Sequence, residues 1–316
     1  MENFILVEYF TSKSNLKVQF EKNLISEALN ICDSITLNFA GAKKLSKLRV
    51  IRNKTLRTIK SEKIEYLFTN NKINITHILR KIKKNSKVIF IAPESEKKSF
   101  NIHLKFGKYL NIFSSDLKCM EIFSSKIKTL NELNKFKLPV VEFHKNSLDS
   151  NNLVLTKPEY GAGSCNVVFT NNLKKKKKFI LQKFYEGIKG SFLMLCNKGK
   201  CKVICCNEQI VKINRHQISQ IGCIMGGLEE YREEIETLAK KICANFKGLF
   251  GVIGVDIVRE NKKWLILEIN PRFTSAYCGL KNSYNQETID EITNFYLEGE
   301  FSNLVPKLLK KVKYIF

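Results

Sequence analysis

The sequence predicts an α/β protein: an N-terminal unit built on a parallel sheet, followed by lobes made mainly of strands and hairpins with flanking helices. Three observations predict it. Residues 1–112 alternate apolar strand-like runs with amphipathic stretches, and residues 153–213 read almost wholly as strands and hairpins. Two late apolar runs, GVIGVDIV and WLILEIN, are joined by a connection short enough for a hairpin. With 316 residues, 44% of them hydrophobic, the chain can bury a sizeable core. No apolar run approaches the ~18 residues that a membrane span needs.

In order, FILVEYF opens as a strand. MENFILVEYF carries two acids and neither a basic leader nor a small-residue cleavage site, so it does not read as a signal peptide, and a cytoplasmic protein is expected. An amphipathic helix follows through Leu16, Phe20, Leu24 and Ala28, then strands LRVI and YLF, a helix near 74–84 and the strand KVIFIAPE. A second section, from Ser114, holds the helical DLKCMEIF and SSKIKTLNELNKF, and Pro139 marks the change to a strand LPVVEF. Next come LVLTKPE, NVVFT, KFILQKF, SFLMLCN and KVICCNEQIVKI, a glycine-bearing loop around Gly222–Gly227, a charged helix over 229–247, the two late strands and a C-terminal helix.

The net charge of +24 points conventionally to nucleic acid, anionic lipid or acidic substrates. Only eight of the 54 cations are arginine, the better reader of bases and phosphates, and lysine on a solvated face needs no partner. Ten cysteines without a signal peptide or a CxxC pair read as reduced thiols, and the four histidines form no HExxH.

The chemistry concentrates in the late strands. Any register centred on Asn261 or Lys262 puts Asp256 and Glu268 on one face, and Asn270, two residues on, joins them. Two carboxylates and an amide oxygen form an all-oxygen set that suits Mg2+; the alternative is that each acid pairs with a lysine. Upstream, LTKPEYGAGSCNVVF leads from a strand into a Gly-rich loop. There Gly161 and Gly163 let backbone N–H groups close over phosphates and Lys157 adds charge; a plain hairpin turn is the alternative. Arg215, in the polar INRHQ run, is a candidate clamp for an amino-acid carboxylate or a surface arginine at a strand end.

The order Lys126 in SSKIKT, Lys157 before the Gly loop, QKFYEG at 182–187, Asp256, and Glu268-x-Asn270-x-Arg272 resembles the ATP-grasp superfamily over residues 112–290. The resemblance implies an N-terminal Rossmann-like domain over 1–112 and an ATP-grasp domain over 113–316, with a small ATP lobe at about 150–190 and a large lobe at about 191–300. It implies that Lys126, Lys157 and the flap residues Gly161, Gly163 and Ser164 hold ATP phosphates, that Gln182, Lys183 and Phe184 offer backbone groups to adenine, and that Asp256, Glu268 and Asn270 hold two Mg2+ ions, with Mn2+ as a substitute. Arg272 would meet phosphate or the reacting oxyanion. The family's ribose-binding acid is replaced by Ile188 and Lys189, which leaves Glu186 as its substitute.

The segments VEYF, IAPESE, INRHQI, MGGL and EINPRFTSAYCGL look like the tyramine–glutamate ligase branch, which acts in methanofuran- and methylofuran-type cofactor biosynthesis. That likeness implies an ATP-dependent carboxylate–amine ligase working through an acyl phosphate on small-molecule substrates, with Arg272 or Arg215 stabilising the tetrahedral oxyanion. Another ATP-grasp ligase or carboxylase is the near alternative, and a non-catalytic nucleic-acid binder the distant one, against which the acid pair argues. No membrane partner is expected; a homodimer is allowed.

Overall fold

The computed structural model describes residues 2–16, 18–83, 86–144, 153–161, 166–170 and 178–316. The N-terminal unit follows the expected alternation: β1 (Glu2–Glu8), α1 (Val18–Gly41), β2 (Leu45–Asn53), β3 (Ile64–Thr69), α2 (Ile75–Lys81), β4 (Lys87–Ile91), α3 (Lys98–Phe106) and β5 (Asn111–Ile112). All five strands are parallel, in the order β3-β2-β1-β4-β5. The chain steps outward from β1 to β3, then returns to β4 on the other side of β1. The carboxyl ends of β1 and β4 therefore flank the point where the strand order reverses, the usual ligand crevice of an open parallel sheet.

Helix α4 (Leu117–Phe123) is capped by Asp116, whose side chain accepts from the Cys119 N–H at 2.7 Å, and α5 (Lys126–Lys135) by Ser125, which accepts from Lys128 N–H at 3.2 Å. The second sheet holds β6 (Phe143–His144), β7 (Val154–Pro158), β8 (Val168–Thr170), β9 (Phe179–Lys183), β10 (Ile188–Asn197), β11 (Lys200–Asn214), β12 (Gln217–Met225), β13 (Gly251–Glu260) and β14 (Lys263–Asn270). Their antiparallel order is β14-β13-β10-β11-β12-β8-β7-β9-β6. Helices α6 (Arg232–Asn245), α7 (Leu280–Ser283) and α8 (Gln286–Glu298) complete this part, with β15 (Val312–Ile315) alongside β12.

The two sheets share a core. Phe4, Leu6 and Ile89 belong to one buried cluster with Leu193, Val252, Tyr277 and Phe295, and Asn38 on α1 donates to Tyr277 Oη at 2.7 Å. Among the described residues no helix is long and apolar enough to cross a membrane. The nine described cysteines are free, and all but Cys201 are buried.

Three elements differ from expectation. LPVVEF is not one strand: Val140 bridges Ile266 of β14 while Phe143 pairs with Gln182 of β9. The segment is divided between the two edges of the curled sheet. Gly222 lies inside β12 and not in a loop, because a Cβ there would come within 2.3 Å of Tyr314 O; the glycine admits β15, which the sequence reading lacked.

Candidate active site

The β13–β14 hairpin turns through Asn261 and Lys262, both with positive φ, 48° and 62°. Glu260 pairs with Lys263, so the turn is centred between Asn261 and Lys262 and on neither of them. That register, continued, would set Glu268 opposite Val255, on the wrong face. A bulge corrects it: the ladder passes from Ile257↔Ile266 to Asp256↔Glu268, leaving Leu267 as the extra residue. The two acids thus stand directly opposite each other, with Asn270 opposite Gly254.

Each acid finds a polar partner. Gln209 donates to Asp256 Oδ1 at 2.7 Å, Asn270 to Asp256 Oδ2 at 3.3 Å, and the Lys126 ammonium to Glu268 Oε1 at 2.7 Å and Gly161 O at 2.9 Å. Lys126 is the first residue of α5, and the cap fixes it there: Ser125 Oγ donates to Glu159 Oε1 at 2.7 Å, and Lys126 N–H to Glu159 O at 3.1 Å. Burial, then the Glu268 charge, pushes Asp256 up to about 7. Burial, then the Lys126 charge, brings Lys157 down to about 8. A carboxylate pair held at this cost on one face, with an amide oxygen beside it, fits a hard divalent cation.

One cleft of about 870 Å³ is lined by the charged Lys126, Lys157, Lys189, Asp256 and Glu268 and by the apolar Leu155, Phe184, Tyr185 and Val258. Gly161 and Gln182 lie on its wall, while Gly163 and Ser164 fall outside the described residues. Phe184 lines the cleft, but Lys183 N–H donates to Glu142 O at 3.1 Å and Phe184 N–H to Leu153 O at 2.8 Å. Of the backbone groups expected to meet adenine, these two N–H groups are hydrogen-bonded inside the protein. Glu186 is exposed and off the wall. At the position of the family's ribose acid, Lys189 turns its ammonium back onto Tyr185 O (2.6 Å) and Gly187 O (2.8 Å). Gly187 itself is required, since a Cβ would come within 1.7 Å of Arg259 O.

Arg272 and Arg215 part company. Arg272 leaves β14 toward the N-terminal sheet, where both oxygens of Glu94 receive its guanidinium at 2.8 Å; burial disfavours the Arg272 charge, and the Glu94 carboxylate more than offsets it. Arg215 occupies the two-residue turn between β11 and β12 with φ 51°, exposed and lining none of the cavities around the cleft. Phe273 and Tyr277, just after β14, are core residues 2% and 1% exposed.

A broader cavity of about 2270 Å³ shares Asp256, Glu268 and Gln220 with the cleft and adds Ser191, Asn270, Arg272 and Ser275. Sequence reasoning missed Gln209, Glu94 and Glu27, the last on the wall of the broader cavity. Only Glu94 had a signal, an acid closing the apolar run of β4 in IAPESE.

Residues 123–276 match the model of the ATP-grasp domain family. Over that stretch, just under half of the chain, it resembles this family. Its fold is similar to a solved structure assigned to the ATP-grasp superfamily from Archaeoglobus fulgidus, with a TM-score of 0.73 and 20% identity over 93% of this chain and 88% of that one. Among curated proteins it is similar to tyramine–L-glutamate ligases: 28% identical over 211 residues to that of Methanocaldococcus fervens, and 22% over 271 residues to that of Methanocaldococcus jannaschii. The first match covers 64% of this chain and 65% of the relative, just under two thirds of its length, and the second 83% and 81%. The resemblance read from EINPR and its upstream acid, and the α/β ATP-grasp fold class, are both borne out.

Proposed function

We propose that the protein is an ATP-dependent carboxylate–amine ligase that joins glutamate to tyramine or tyrosine, in the manner of the methanofuran- and methylofuran-type pathways. The observation that carries the ATP-dependent part is the Asp256–Glu268 pair with Asn270, the two acids sharing with Lys126 and Lys157 a cleft that Leu155, Phe184 and Tyr185 also line. The ligase names of the relatives support the substrates.

In this reading Asp256, Glu268 and Asn270 would hold two Mg2+ ions, which neutralise charge spreading over a transferring phosphoryl group. Lys126 and Lys157 bind the phosphates, whose negative charge favours the ammonium form that burial disfavours at Lys157. Phe184, Tyr185 and Leu155 take the base against apolar surface. Lys126 exchanges its Glu268 contact for phosphate oxygen, which leaves both carboxylates to the ions.

The broad cavity beside the acids, with Ser191, Ser275 and Arg272 on its walls, takes the substrate carboxylate next to the γ-phosphate. Attack of the carboxylate on the γ-phosphorus releases ADP and gives an acyl phosphate; Arg272, fixed in place by Glu94, faces the carbonyl oxygen as the free amine adds, and inorganic phosphate and a proton leave. Catalysis is positioning and electrostatics, so no enzyme nucleophile is required. The test is ADP release from Mg-ATP and L-glutamate with and without tyramine or tyrosine, with products weighed by mass spectrometry. Amine-dependent release with a product of amine plus glutamate minus water is expected. Nucleotide binding without any such product would leave the ATP-grasp assignment standing and remove the substrates.

A further inference from the structure

A third cavity, of about 900 Å³, lies at the carboxyl ends of β1 and β4, the reversal point of the parallel sheet. Its walls are of two kinds. Phe10, Leu24, Ile31, Ile91 and Tyr160 make an apolar body. Glu8 and Glu27 are acids set in it; among the described lining residues the one cation is Arg272, paired with Glu94, while the Lys13 and Lys97 ammonium groups lie over the Phe10 and Tyr160 rings.

The two acids do different work. Glu8 Oε1 and Oε2 accept the backbone N–H groups of Phe10 and Thr11 at 3.1 and 2.7 Å, so Glu8 fixes the end of β1. Glu27 sits with Leu24, Ala28 and Ile31 at positions i, i+3, i+4 and i+7, a single face of α1 that lines the cavity. One of its oxygens accepts from Ser275 Oγ, which ties this helix face to the loop after β14.

The three cavities adjoin in a definite order. The ATP cleft and the broad polar cavity share Asp256 and Glu268, whereas the broad cavity and the third share Leu24, Glu27 and Arg272. The third cavity and the cleft share Pro158 and Gly161, at the base of the Gly loop. We infer that the third cavity is the acceptor pocket, taking a primary amine carried on an aromatic body, with Glu27 as the partner of its ammonium group. This rests on the ligase reading and deepens it. Acid within apolar walls selects an amine without a carboxylate of its own, so tyramine is the acceptor and tyrosine is rejected.

The test is calorimetric binding to the full-length protein with MgADP present, using tyramine, 4-ethylphenol and tyrosine as probes on the wild type and on Glu27→Gln and Glu27→Asp. Tyramine binds the wild type, tyrosine about tenfold or more weaker, and Glu27→Gln weakens tyramine by about tenfold or more, the loss of one charge-assisted contact. Glu27→Asp recovers part of that loss, and 4-ethylphenol and MgADP bind both variants as they bind the wild type. No tyramine binding to the wild type, equal affinity for tyrosine, or a Glu27→Gln variant that binds tyramine unchanged overturns the inference; so does an equal loss for 4-ethylphenol, which would mark a packing defect. Tyramine bound as described but never converted to an amide with ATP and glutamate would sink the ligase reading and leave the pocket.

Discussion

Asp256 and Glu268 on the β13–β14 hairpin, and Glu8 and Glu94 at the ends of the N-terminal strands, are all acids withdrawn from water, but they are solvated by the protein in opposite ways. Glu94, 3% exposed, holds both terminal oxygens against a guanidinium, and Glu8 is met by two backbone N–H groups. The hairpin acids face each other, share one ammonium and two amides between them, and leave Asp256 pushed up to about 7. Glu94 is paired as it stands, while burial still raises the Glu8 carboxyl above its ordinary value in spite of those N–H groups. The hairpin arrangement becomes comfortable only when a cation is added, and that contrast separates an acid kept for structure from one kept for chemistry.

The contrast is broken or sharpened by charge-removing substitutions. The largest effect is expected for Glu268→Gln, which should lower ADP formation at least about a thousandfold, because the charge neutralisation that the acid anchors supplies several kcal/mol to phosphoryl transfer. An unchanged far-ultraviolet spectrum and a measured turnover check it; a well-folded variant with near wild-type turnover would falsify the metal assignment. Second is Glu94→Gln, which leaves Arg272 facing a neutral amide inside the protein and should cost about 3 kcal/mol in urea unfolding. A midpoint equal to wild type would mean that the pair is no firmer than a surface contact.

Third, Asp256→Asn should have the opposite sign and raise stability without Mg2+ by on the order of 1 kcal/mol. A carboxyl whose folded pKa lies above its unfolded value takes up protons on folding, so the wild type loses stability as pH rises from the ordinary carboxylate range to about 7, and Asp256→Asn does not. Parallel pH profiles for the two proteins would remove the strain argument. The smallest effect is expected for Arg215→Ala, at an exposed turn, with turnover within about twofold of wild type as for most surface changes.

What could be read in the sequence follows the same division. Strand periodicity and short connections were enough for a parallel first sheet and for the hairpin that carries Asp256, Glu268 and Asn270, but their common face depends on the bulge at Leu267, which was not read. Lys126 and Lys157 were found through their order along the chain, and both line the cleft. Glu27 and Glu94 were not found, because each meets its partner across more than 150 residues, Ser275 for one and Arg272 for the other, and no local pattern encodes such a meeting. Two readings were open for Arg215, a carboxylate clamp and a surface arginine at a strand end, and the backbone folds it into the exposed tip of a hairpin, as the second has it. The linker at Lys183 and Phe184 is intermediate, its place on the cleft legible and the use of its N–H groups elsewhere not.

The extra residue at Leu267 ties chain length to function. A two-residue turn at Asn261–Lys262 sets one parity for the returning strand and the bulge sets the other, so only together do they bring Glu268 and Asn270 onto the face of Asp256. A three-residue turn with no bulge reaches the same face. In an alignment of relatives, a one-residue gap at the turn and a one-residue gap at Leu267 should therefore appear as a compensating pair, and a chain carrying just one of them should have abandoned the acids as well.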